Sequence, residues 1–509
     1  MLKKLKSVSY HTSPATLFVF ACIFTFTLIY AVKTNFLIID ADIFWHTASG
    51  RWIVEHGQLP ANDPFLSIAA SVTNDRTWVC HFWLTDVLFF YTQSYFNWIG
   101  ITVLTCFCFA LAMMILMRYL ERYLRTSAAL LLTLFSMGIL ITHLIARPHI
   151  IILPLLVIWV GECVKARDEQ RAPPFWLLVI YFFWINLHGI EGIPGFVIAM
   201  AFAFEAFIDA KSTKQQLKVI KTWGLFLILA LLVSLFLSPV GVATWQYFIA
   251  FFKFSHMQFI AEFNPPVLAN LFILEIWLAV ILFIALSKKL YVPLYRLLML
   301  LGILFLTINS YYVVNYFAIL SAFLLAPPLQ QAFAPRLDPT PNKTTHPALF
   351  WVMMLAITLY TLAFSGWMVK HHATLPDNLS TAPYKAINFA KTAQLTGPLF
   401  NEEVFNGYLA LAGFQPFIDD KVELYNQDFA KAYFCATTHG GIFLTNLLQH
   451  YQINWVILSP YTAAAVTTLE TDKNWKLLYA DKLAVIFQRI TPYPDSPPMK
   501  SIARCKLSD

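Results

Sequence analysis

PATLFVFACIFTFTLIYAV, residues 14–32, runs for 19 positions without a charged side chain. A bilayer's hydrocarbon core of ~30 Å is crossed by about 20 apolar residues in a helix. Working outward, similar runs recur at roughly 98–117, 127–146, 148–164, 174–187, 191–208, 222–238, 267–286, 294–308, 311–327 and 347–369. They are continuous rather than alternating, and backbone inside lipid must satisfy its own hydrogen bonds, so the spacing predicts helices and not a barrel. Of 509 residues, 59% are hydrophobic and 12% charged, against about 25% charged in soluble chains. The expected fold is a polytopic α-helical membrane protein of about eleven spans. Segment 82–96 is apolar around Asp86 and reads as an interfacial or re-entrant helix. The opening MLKKLK resembles a signal-peptide start, but the long run after it, with no small-residue cleavage site, reads as an uncleaved first span.

Basic residues set the expected orientation. Alternate loops carry Lys3, Lys4 and Lys6; Arg118, Arg122 and Arg125; Lys165, Arg167 and Arg171; Lys211, Lys214, Lys218 and Lys221; Lys288, Lys289 and Arg296; and Arg336 and Lys343. The other side has Arg51, Arg76 and Lys253 between spans, with Lys33 and Arg147 at span edges. The basic-rich side is read as cytoplasmic, with the N-terminus. Loop 34–97, loop 239–266 and everything after about residue 370 then lie outside. The net charge of +7 is a topology signal and calls for no nucleic acid.

Residues 1–369 are read as the transmembrane domain with its large outer loop 34–97, and 370–509 as a small α/β domain in the periplasm. Extended pieces are expected at 397–401, 415–419, 455–459, 475–480 and 483–489, the last two joined by a turn at Asp481 and Lys482. Helices are expected near 384–395, 428–450 and 461–470. Segment 328–346 reads as a linker, and Cys435 and Cys505 as a candidate disulfide in an oxidising space. No Walker A or GxGxxG motif is present, which argues against an ATP-driven pump or a Rossmann-core enzyme.

Chemistry concentrates in DADIFWHTASGRWIVEHGQLPANDPF, 40–65, which places Asp40, Asp42, His46, Arg51 and Asp63 just beyond the first span. From Asp42 the pattern suits a helix with Trp45, Ala48 and Trp52 on one face and Asp42 and His46 on another. A carboxylate there suits a general base toward an acceptor hydroxyl; the plainer alternative makes Asp42 a helix cap and the tryptophans interface anchors. Arg147 and His149 suit a phosphate at the outer end of the third span, the plainer reading of Arg147 being a side chain snorkelling to the headgroups. Asn186 and His188 end the fifth span on the same side, and Glu262 lies in the later outer loop. Glu275 reads as a mid-span carboxylate.

The order of these motifs resembles the bacterial branch of the C-type (GT-C) membrane glycosyltransferases, whose relatives include lipid-to-protein mannosyltransferases and aminoarabinose transferases. The resemblance is carried by D-x-D-x-x-W-H from Asp40, L-P-x-x-D-P-F at 59–65, W-V-C-H-F-W-L at 78–84 including His81, A-R-P-H at 146–149, N-L-H-G-I-E-G at 186–192, S-P-V-G at 238–241 and A-E-F-N-P-P at 261–266. In the tail it is carried by L-F-N-E-E-V-F-N-G-Y-L at 399–409 and F-I-D-D-K at 417–421. Departures are Phe82, where relatives often carry an acid, Asp420–Lys421 in place of Gly-Arg, and a missing Arg between 309 and 316. The resemblance implies inverting transfer from a polyprenyl-phosphate-linked sugar at the outer face of a bacterial inner membrane. The acceptor is an envelope glycan, lipid or protein. Its base falls on Asp42 or Asp40, which also suit a divalent cation. The competing readings are a lipid or solute transporter or flippase, and a non-catalytic scaffold of the same fold.

Overall fold

The computed structural model describes residues 14–67, 78–251, 261–267, 271–288, 290–334, 336, 347–372, 375, 379–421 and 424–493. MLKKLK, Arg76, Lys253, Lys289, Lys343 and Cys505 lie outside them. The chain is a polytopic α-helical membrane protein with a small C-terminal sheet. It divides into two compact units: residues 1–34, 99–246 and 260–373, and residues 35–98, 247–259 and 374–509.

Among its described residues, the regular elements of the first unit are all helices. Each expected span coincides with a helix: α1 (Pro14–Thr34), α3 (Trp83–Leu120), α4 (Thr126–Leu140), α5 (Leu153–Asp168), α6 (Leu177–Leu187), α7 (Gly189–Ile208), α8 (Thr213–Phe236), α10 (Phe272–Ser287), α11 (Leu294–Asn309), α12 (Val314–Phe333) and α13 (Pro347–His371). Among the described residues, seven helices are long and apolar enough to cross a membrane, and α6, α10 and α11 are shorter apolar helices. Phe236, Phe283, Leu286 and Trp351 are each more than 60% exposed. Water would penalise large apolar side chains in that number, and lipid does not. Glu275 is corrected: α10 starts at Phe272, so this carboxylate is exposed in the first helical turn, where it complements the helix dipole.

Basic residues assigned to one side gather at one end of this unit. Buried Arg296 bonds Asp168 at 2.7 Å and Glu205 at 3.1 Å, Arg167 lies 3.4 Å from Glu205, and Tyr123 donates to Asp168 at 2.5 Å. The network ties the ends of α3, α5 and α7 to the start of α11, as alternating up and down helices require.

The second unit joins the first loop to the tail. Helix α2 (Asp42–His56) and the first half of α3, which breaks at Asn97 (φ 55°), belong to it with the tail elements. These are α14 (Tyr384–Thr392), α15 (Asn406–Leu411), α16 (Gln427–His439), α17 (Gly441–His450), α18 (Ala463–Thr471) and strands β1 (Leu399–Asn401), β2 (Trp455–Leu458), β3 (Trp475–Ala480) and β4 (Val485–Arg489). Helix α9 (Gly241–Phe251) contributes Tyr247. The sheet order is β1-β2-β4-β3, with β1 and β2 parallel and the other pairs antiparallel. Strand β2 is buried on both faces, with Val456 and Leu458 in one core and Trp455 and Ile457 in the other, as the period of two demands. Asp481 turns the β3–β4 hairpin by accepting from the backbone of Leu483 and Ala484, both at 2.8 Å.

Segment 415–419 is not a strand, against expectation. Side chains take its hydrogen bonds: Phe417 N–H donates to Asn401 Oδ1 at 2.7 Å, Asn401 Nδ2 donates to Ile418 O at 3.1 Å, and Asp419 N–H donates to Tyr425 at 2.8 Å. The long helix expected at 428–450 breaks at Gly440 into α16 and α17. Trp45 is not an interface anchor. It is buried with Ile53, Leu66, Trp78 and Cys80 in the core that also holds Phe400, Phe417 and Phe429.

Two close helix approaches set this unit's geometry. A Cβ on Gly50 would lie 2.0 Å from the Asp86 carbonyl oxygen, and one on Gly407 would lie 2.2 Å from that of Ala41. Gly50→Ala therefore forces α2 away from α3. The expected cost is about 1–3 kcal/mol, as for other overpacked contacts, read as a lower thermal midpoint of the purified chain. An unchanged midpoint would refute the tight approach.

Candidate functional site

Helix α2 begins where the sequence predicts, but Asp42 is its first residue rather than its cap. The cap position is Ala41, and Asp40, one residue earlier, accepts the Asp42 backbone N–H on its Oδ1 at 2.9 Å. The Asp42 carboxylate accepts the Trp45 indole N–H at 3.0 Å. One turn on, His46 is 2% exposed, and its Nδ1 lies 2.6 Å from Oδ1 of Asp86, which is fully buried. Trp45 stacks on the imidazole at 3.8 Å, and Phe82 and Phe89 meet it edge-on. A carboxylate bonded to one imidazole nitrogen fixes the tautomer and orientation of the ring.

Cys80 donates to the other Asp86 oxygen at 3.5 Å. Burial first, and Asp86 second, hold this thiol protonated, well above its ordinary range, so it is no nucleophile. His81 is buried, and burial followed by the nearby His46 pushes its pKa down to about 3. It is neutral at physiological pH and packs against Phe82 and Tyr247.

On its other side, Asp42 meets the tail. Its carboxyl lies within hydrogen-bonding reach of that of Asp420, and Glu403 is close enough to feel its charge. Asn406, fully buried, donates to Asp420 Oδ2 at 2.8 Å and to the Glu403 carbonyl at 2.6 Å. Asp63 finds its partner in Lys421, 2.9 Å from Oδ2, and Asp419 bonds the same ammonium. That lysine is 4% exposed and lies over the rings of Trp45 at 4.7 Å and Trp78 at 5.3 Å. Arg51 stands apart from this cluster, donating to the Leu411 carbonyl at 3.4 Å.

The remaining candidates lie in the first unit. Arg147 forms an ion pair with Glu262 at 2.6 Å. His149 donates to the His143 carbonyl at 3.1 Å, and the two rings stack. Asn186 donates its amide to the carbonyls of Phe182 and Leu237. His188 occupies the cap position just before α7. Nearby, Tyr316 donates to the buried carboxyl of Glu191.

Asp86, Glu403 and Asn406 were missed as site residues, while Asp420 and Lys421 were noted only as departures from a motif. Asp86 had a signal, an ionisable residue in an apolar segment. The others lay inside the tail motifs at 399–409 and 417–421, but nothing in their spacing showed that they pair with one another and with the first loop. Among the described residues, no group of three or more His, Cys, Asp and Glu is arranged to hold a metal ion. Asp40 and Asp42 bond a backbone N–H and an indole instead, so no metal step is derived.

Scans against protein-family models and curated proteins return no match. Among solved structures, the chain is similar to the crystal structure of ArnT from Cupriavidus metallidurans bound to undecaprenyl phosphate. Identity is 13% and the TM-score 0.44, over 92% of this chain and 98% of that one. At that score the superposition defines no residue correspondence.

Proposed function

We propose that this chain is a membrane glycosyltransferase that moves a sugar from a polyprenyl-phosphate carrier to an acceptor hydroxyl, with inversion. It acts at the outer face of a bacterial inner membrane, with the second unit in the periplasm. The observation that carries the reading is the half-buried Asp42 carboxylate on α2, beside an imidazole held by Asp86. A base at that position takes the proton as the acceptor oxygen bonds to sugar C1. The C1–O bond to phosphate breaks in the same displacement, its electron pair leaving with the phosphate, and a single displacement inverts C1. Carrier binding falls to Arg147, whose planar fork fits a phosphate. In the resting chain it is neutralised by Glu262. The disulfide at Cys435 supports an oxidising compartment for the second unit; its expected partner, Cys505, lies outside the described residues.

The test is transfer of labelled sugar from polyprenyl-phosphate donors to total envelope extract, using membranes with and without the protein. Donor-dependent label in the acceptor pool is the expected result. Its absence, with a control transferase active in the same extract, overturns the reading.

A further inference from the structure

We propose that Asp420 is a positioning residue for this chemistry: the Asp42 and Asp420 carboxyls share one proton, and the pair acts as the base. The last clause rests on the transferase reading; the proton sharing does not. A hydrogen bond between two carboxyl groups requires a proton, because neither carboxylate has one to donate.

The fold holds the pair in place from three directions. The Trp45 indole fixes the Asp42 oxygen from α2. The amide of Asn406 fixes Asp420 from α15, and is itself anchored on the Glu403 carbonyl. Gly407 lets α15 approach α2 so closely that any Cβ would strike the Ala41 carbonyl. Both carboxyls remain half-buried and not sealed, so an incoming hydroxyl can reach the pair.

The surrounding charges favour retention of the proton. Asp40 and His46 lie on the α2 side. Glu402, Glu403 and Asp419 come from the tail, with Tyr433 from α16. Among the described residues, Lys421 is a nearby cation, and it is committed to Asp63 and Asp419. Burial, then Asp42, then Glu403 raise the Asp420 carboxyl well above the usual carboxylate range. Burial, followed by Glu402, Asp419 and Asp42, raises Glu403 from 4.5 to about 7. During transfer the singly protonated pair accepts the acceptor's proton as the O–C1 bond forms. The extra proton is then released to water.

The test that needs no substrate is infrared titration of the purified full-length chain, following the carbonyl stretch of protonated carboxyls. The band present in wild type and absent from Asp420→Asn should persist into the neutral range. Asp42→Asn should remove it or lower its midpoint by about one pH unit or more, the size expected of strongly coupled sites. Glu403→Gln should lower the midpoint less. A band that titrates unchanged in Asp42→Asn, or no such band in wild type, overturns proton sharing. A second readout is the pH profile of transfer. Loss of the shared proton moves the acid limb of Asp420→Asn to higher pH, because the mono-anion loses the carboxyl that stabilised it, and removes the alkaline limb; a merely structural role scales the rate alike at all pH values. If wild type transfers no sugar, the transferase reading falls, and the infrared result still decides the pair.

Discussion

Asp42→Asn lowers sugar transfer on the order of 10²–10⁴-fold, the usual loss when a general base is removed, while insertion and folding are retained. The amide keeps the shape of the carboxylate. Its oxygen still accepts the Trp45 indole N–H, as the Asp42 Oδ1 does at 3.0 Å, and its NH₂ donates to Asp420. What it cannot do is take a proton. The measurement is single-turnover transfer in membranes matched for protein, with the thermal midpoint as the folding control. A drop of less than about tenfold would place the base elsewhere. His46 would then be the next candidate, since Asp86 holds its ring at 2.6 Å; Asp86→Asn, which favours the other tautomer, would show the large loss instead.

Lys421→Met destabilises the second unit by about 3–5 kcal/mol, as breaking one side of a buried ion pair typically does. The ammonium lies between Asp63 and Asp419 and over the faces of Trp45 and Trp78. Removing it leaves two buried carboxylates facing one another and takes a cation from two indole rings. Burial alone would lower the Lys421 pKa, but Asp419 and Asp63 outweigh it and hold it above the ordinary 10.5. A base with a raised folded pKa contributes its full stability below the unfolded value and loses it only as pH climbs through the folded one. The lysine's own ionisation therefore costs the fold nothing until pH reaches about 10; on the acid side its contribution falls as Asp419, whose carboxyl burial raises above the usual range, takes up a proton. Tryptophan fluorescence during denaturation reports the loss directly, because Trp45 and Trp78 line the cage. Combining Lys421→Met with Asp63→Asn and Asp419→Asn should recover most of it. Failure of the triple variant to recover would mean the lysine's packing, not its charge balance, is what the fold needs.

Much of this architecture is local and so legible in the chain. A span announces itself by length and apolarity, as residues 14–32 do. A turn announces itself by Asp481, whose side chain meets its own following backbone. Short apolar runs at 455–458 and 485–489 mark strands because they are too short for spans and are bounded by turn residues close in the chain. Helix α2 was equally readable, with Asp42 and His46 one turn apart.

The site's partnerships were not. Segment 415–419 has the composition of a strand, yet Asn401 and Tyr425 claim its backbone. Asp86 meets His46 only because α2 and α3 pack at Gly50. Asp42 meets Asp420, and Asp63 meets Lys421, across more than three hundred residues of chain. The sequence alone determined a membrane protein of many helices, a small α/β tail, and a first loop rich in proton-exchanging groups, because hydropathy and short-range periodicity are properties of neighbouring residues. Only the tertiary structure decided which of those groups hold one another, because that depends on which faces pack together and on the two glycines that let them close.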